Sequence, residues 1–162
     1  MTLITQQEID ETLAEFQQFT ENDVLKFMRR FQKKQEPLLV YIAAIAEREE
    51  LNDSEYDVLI TMALMTWEVL QKKYGGLKKL SMKQLSKMDD ALYDNLRNDP
   101  ASMMMEVSDY PQPHLLGTIL THVMDADSEV REELKGILYF TLKNVVDGLL
   151  RSSGEPDFPQ LK

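Results

Sequence analysis

Pro37-Leu38-Leu39 opens an apolar stretch that passes through Asp53-Ser54-Glu55 into a second, longer one, and Pro113-His114-Leu115-Leu116 repeats the pattern through Asp127-Ser128-Glu129. Behind each Asp-Ser-Glu, Tyr56, Ile60, Ala63, Leu64 and Met65 line up with Val130, Leu134, Ile137, Leu138 and Tyr139. Apolar residues three and four apart mark a helix face that has to be buried. Proline suits the first turn of a helix, where its missing N–H is not needed. The reading is two related helix hairpins, about 37–74 and 113–151, with Ser54 and Ser128 as the N-caps of their second helices. Two copies suggest an internal duplication but fall short of a solenoid.

Working outward, Thr5-Gln6-Gln7-Glu8 is a capping-box pattern ahead of Ile9, Leu13 and Phe16, and predicts a helix ending near Phe19. Thr20 caps the next, about 21–35. That segment is two-faced: Val24, Leu25, Phe27, Met28 and Phe31 on one side, Lys26, Arg29, Arg30, Lys33 and Lys34 on the other. Pro37 begins a further helix to about Glu50. The segment 54–74 is apolar nearly all round, with Trp67 within it, which places it at the centre of a bundle or against another subunit. Gly75-Gly76 ends it. Ser81 with Gln84 caps a helix to about Asn98, and residues 99–112, with Pro100, Pro111 and Met103-Met104-Met105, form a linker. The fold expected is all-α: a compact bundle of six or seven helices in one domain over 1–154. A tail over 155–162, holding Pro156 and Pro159, is expected to be extended or mobile.

The chain has 162 residues, enough to bury roughly 70% of its unfolded surface. It contains no cysteine, which excludes disulfides, thiolate metal sites and cysteine nucleophiles. The start, Met1-Thr2-Leu3-Ile4-Thr5, lacks a basic, apolar leader, and the longest apolar run, Leu38 to Ala46, is far short of the roughly 20 residues of a membrane span. A cytoplasmic location without membrane attachment is expected. The net charge of −10 disfavours nucleic acid and anionic membranes as partners. It is uneven: residues 1–88 carry −2 and residues 89–162 carry −8, so a basic surface can exist in the first half.

No motif in the chain carries a recognisable chemistry. His114 and His122 are eight apart on one helix, too distant to share an ion. His122 with Asp125, near Asp127 and Glu129, is a candidate metal pair; equally, it is a histidine complementing a helix C-terminus. The run from Glu47 to Asp57 is acidic but lacks the glycine-centred calcium loop. Gly-x-Ser-x-Gly and glycine-rich phosphate loops are absent. The cations Lys26, Arg29, Arg30, Lys33 and Lys34 are either a docking surface or the wet face of a surface helix, with Lys72, Lys73, Lys78, Lys79, Lys83 and Lys87 as extensions. Met103–Met105 is either an adaptable contact surface or a pinned linker.

The function expected is a non-enzymatic cytoplasmic protein-interaction or regulatory module without cofactor, with a protein partner that includes a second copy of the chain as a homodimer. The alternatives are an enzyme or metal-binding protein using His122 and Asp125, and a nucleic-acid binder using the basic face of residues 26–34.

Overall fold

Short polar motifs start the helices. In this computed structural model, which describes residues 2–154, Thr5 accepts from the Glu8 amide at 3.1 Å and opens α1 (Gln6–Gln17). Thr20 and Asp23 exchange bonds as a capping box at the head of α2 (Glu21–Arg48). Ser81 and Gln84 do the same for α4 (Met82–Asn98). α3 (Asp53–Tyr74) stops at Gly75, whose φ of 64° suits a residue without a side chain. Two short 3-10 turns, Pro100–Met103 and Val107–Asp109, fill the expected linker before α5 (Pro113–Met124) and α6 (Glu132–Ser152). The described residues hold six α-helices and no strand, packed as a compact bundle. The expectation for residues 155–162 lies outside the described residues.

The segments expected as separate helices around Pro37 are one helix with a kink. Gln35 leaves helical geometry at φ −141° and ψ 46°. Proline at 37 removes an amide and crowds the carbonyl one turn back, which breaks the regular ladder here. The kinked residue is fully buried. Its Nε2 donates to the Lys78 carbonyl and its Oε1 accepts from the Leu80 amide, each at 3.0 Å. The side chain thus ties the loop after α3 to the middle of α2.

The Asp-Ser-Glu tripeptides do not act alike. Asn52, not Ser54, caps α3: its side chain accepts from the Glu55 amide at 2.8 Å, and Glu55 returns the bond to the Asn52 amide. Ser54 lies inside the first turn. Seventy-four positions beyond Asn52 stands Ala126, which has no side-chain acceptor. α6 accordingly begins later, at Glu132, with no side-chain cap. Ser128 is not an N-cap either; it closes a turn, donating to the His122 carbonyl at 2.8 Å and accepting from the Val130 amide at 3.2 Å. Burial follows this shift. Leu59 is fully buried, while Glu133, its counterpart at the tripeptide spacing, is exposed. The hairpins share an order of elements, but their second helices start at different points relative to the tripeptide, and an internal duplication is not confirmed.

α3 and α6 form the centre: α3 packs on α1, α2, α5 and α6, and α6 on α3, α4 and α5. α6 is buried as thoroughly as α3, so the centre expected for the 54–74 segment is shared by two helices. Trp67 is 1% exposed and meets Phe27 and Phe31 edge-on, with ring centroids 5.8 and 5.2 Å away. The two hairpin turns are clamped by a buried carboxylate. Arg131 donates through Nε and Nη2 to Glu55 at 2.9 Å, and its amide adds a third bond. These donors hold the Glu55 carboxyl down at about 2, against its burial. No helix among the described residues is long and apolar enough to cross a membrane.

Candidate functional site

The first turns of α2 pack on α3 and reach Phe16 of α1 through Phe27, and a buried acid of α3 holds one of their cations. Glu68 of α3 has a side chain only 4% exposed. A carboxylate in that position needs a donor. Arg30 supplies it through Nη2, with its guanidinium over the rings of Phe27 and Trp67, 5.1 and 5.2 Å from their centroids. The side chain remains 51% exposed, so Arg30 roofs the core rather than entering it.

The apolar residues of α2 divide between the core and the surface. Phe27 and Phe31 are buried as expected. Val24 and Leu25, expected beside them, are 45% and 55% exposed. Val24, three residues before Phe27, keeps the side of the two buried rings and edges it, whereas Leu25 lies round the helix from them. Between Val24 and the neighbouring helices lies a shallow apolar groove of about 150 Å³. Phe16 and Phe19 wall it at the end of α1, Met28 and Phe27 on α2, and Thr61 and Leu64 on α3.

The other four expected cations, Lys26, Arg29, Lys33 and Lys34, are exposed and make no ion pair among the described residues. The Gln35 clamp holds the Lys78 carbonyl 3.0 Å from the Gln35 amide nitrogen, and the side chains of Lys78 and Lys79 are exposed. The lysines suggested as an extension therefore divide. Lys72 and Lys73 belong elsewhere, paired with Glu15 and Glu8 of α1 at 2.8 and 2.9 Å. Sequence reasoning missed the groove and the exposure of Val24 and Leu25. The buried, charged Glu68 in an otherwise apolar segment was a signal for the pairing of Arg30 alone.

His122 is used locally. Its Nδ1 lies 2.9 Å from the Thr118 carbonyl one turn back. With Asp125 and Asp127 it lines an open cleft of about 320 Å³. Among the described residues, no three histidine or carboxylate side chains converge so as to hold a metal ion. The acidic run is likewise engaged in structure: Glu55 binds Arg131, and Glu49 accepts from the Tyr93 hydroxyl at 2.6 Å.

Met103 and Met105 line a cleft of about 410 Å³ between α4 and α6. Asp147 at its base accepts from the Tyr110 hydroxyl and pairs with Lys143 at 3.1 Å. Burial, with Asp147 alongside, pushes the Tyr110 hydroxyl far up, so it stays protonated and is no base. A second buried acid, Asp89, takes the Tyr41 hydroxyl at 2.7 Å and Arg48 at 2.8 Å. Both carboxylates already have partners suited to structure rather than proton transfer. No protein-family model, characterised protein or solved structure matches this chain.

Proposed function

We propose that this protein is a non-enzymatic interaction module that engages an acidic protein partner through the outer side of α2. One observation carries the reading. In a chain of net charge −10, Arg30, Arg48, Lys72, Lys73, Arg131, Lys135 and Lys143 pair with carboxylates, whereas Lys26, Arg29, Lys33 and Lys34, close together on one helix, make no ion pair among the described residues, and nor do the more scattered Lys78, Lys79, Lys83, Lys87 and Arg97. An acidic protein offers carboxylates freely, so four neighbouring cations left without them form a face kept available. Complementary charge of this kind speeds encounter and sets the partner's orientation.

The test compares the native protein with a variant carrying Arg29→Glu, Lys33→Glu and Lys34→Glu. The variant keeps the helical circular dichroism. A fluorescein-labelled acidic peptide of alternating Glu and Ser binds the native protein, more weakly as salt rises, and fails to bind the variant. Equal binding by both proteins refutes the reading. Preference for a single-stranded oligonucleotide of the same charge assigns the face to nucleic acid instead. A second copy of the chain is one acidic partner, because residues 89–162 carry −8; sedimentation at low and high salt reads that association directly.

A further inference from the structure

Resting on that reading, we infer that the partner is an acidic amphipathic helix that seats one large apolar side chain in the groove between α1, α2 and α3 while its carboxylates meet Arg29 and Lys33. The groove and the cations belong to one surface. Val24 and Met28 are one turn apart on the groove side of α2, and Arg29 and Lys33 are one turn apart on its outer side. Leu25, 55% exposed, lies between the two rows. A binder has to satisfy both rows at once: apolar atoms over Val24, Leu25 and Met28, and negative charge beyond Leu25 on the outer side of the helix.

Size narrows the occupant. About 150 Å³ accepts a single leucine- or phenylalanine-sized side chain, well below the roughly 300–1,000 Å³ of pockets that enclose drug-sized ligands. Aromatic walls at Phe16, Phe19 and Phe27 suit such an anchor. The described residues present no strand edge for an extended peptide to extend. A helix laid along α2 repeats its anchor and its acids at one-turn intervals, the spacing found on this face.

Charge sets the direction. The start of α2 carries Glu21 and Asp23, and its later turns carry Arg29, Lys33 and Lys34. The partner's anchor therefore lies toward Val24 and its carboxylates toward Lys33.

Two labelled 16-residue peptides test this by fluorescence anisotropy. Both carry the same number of glutamates. One has Leu and Phe at helical spacing and the other has Ser and Gln in their place. The native protein binds the apolar-bearing peptide about 10- to 100-fold more tightly, as burial of one large side chain provides. A Val24→Glu, Leu25→Glu variant, altered only at exposed positions, loses that preference. Arg29→Glu with Lys33→Glu weakens both peptides. If the two peptides bind the native protein alike, the anchor inference falls and the acidic-partner reading stands. If neither binds, both fall. A preference that survives Val24→Glu, Leu25→Glu moves the anchor away from this groove and overturns the inference.

Discussion

Arg29 and Arg30 are adjacent in the chain and belong to different parts of the protein. Arg30 binds a buried carboxylate and covers two aromatic rings; Arg29 makes no ion pair among the described residues and points to solvent. Five cations at helical spacing look like one stripe, yet the core takes one and leaves the others. The contrast teaches that a charged helix face is divided by what lies opposite it. Here Glu68, 38 positions away in sequence, does the dividing. Val24 and Leu25 stay partly exposed on the same helix, so apolar residues too are divided between core and surface.

The largest effect expected concerns the rings beneath Arg30. Trp67→Ala lowers the free energy of unfolding by about 3–5 kcal/mol, the usual loss for a large buried aromatic. It also removes one of the two surfaces on which Arg30 rests. Arg30→Ala should therefore cost less in the Trp67→Ala background than in the native protein. Urea denaturation of the two single variants and the double variant measures this. Strict additivity would show that Arg30 and Trp67 are energetically separate and would weaken the contrast with Arg29.

A second buried acid sharpens the comparison through pH. Arg131 and two backbone amides hold Glu55 at about 2, below its ordinary 4.5. A carboxyl whose pKa is lowered by folding stabilises the fold fully above its unfolded value and loses that contribution as pH falls toward the folded one. Stability is thus expected to decline between about pH 4.5 and pH 2, and Glu55→Gln should flatten that part of the profile. An unchanged acid limb in the variant would place the responsible carboxylate elsewhere.

The third comparison is between neighbours at the turn. Asn52→Ala should cost about 1 kcal/mol through the lost cap. Ser54→Ala, inside the first turn, should stay within about 0.5 kcal/mol. Thermal unfolding of both variants decides it, and a larger loss at Ser54 would restore the serine as the cap.

Much of the fold was readable because helix periodicity and local caps act over a few residues. The starts at Thr5, Thr20 and Ser81 and the stop at Gly75 follow from residues within one turn of each boundary. The α3 start was misplaced by two residues because Asn52 and Ser54 are both competent caps, and only the return bond from Glu55 separates them. The matched tripeptides misled for a related reason: Ala126 cannot do at the second turn what Asn52 does at the first. The candidate face was half legible. Four of its five cations are where the periodicity put them. The groove was hidden because its walls come from three separate segments of the chain, which only the tertiary packing brings together.

The most direct test of the account sets Arg29→Ala beside Arg30→Ala in equilibrium urea unfolding. Arg30→Ala leaves Glu68 buried without its cation and should lower stability by about 2 kcal/mol, less than for a fully buried pair because half of the arginine side chain is in water. Arg29→Ala should remain within about 0.5 kcal/mol of the native protein. Equal losses, or the greater loss at Arg29, would contradict the division of α2 into a core side held by Arg30 and an exposed side carrying Arg29.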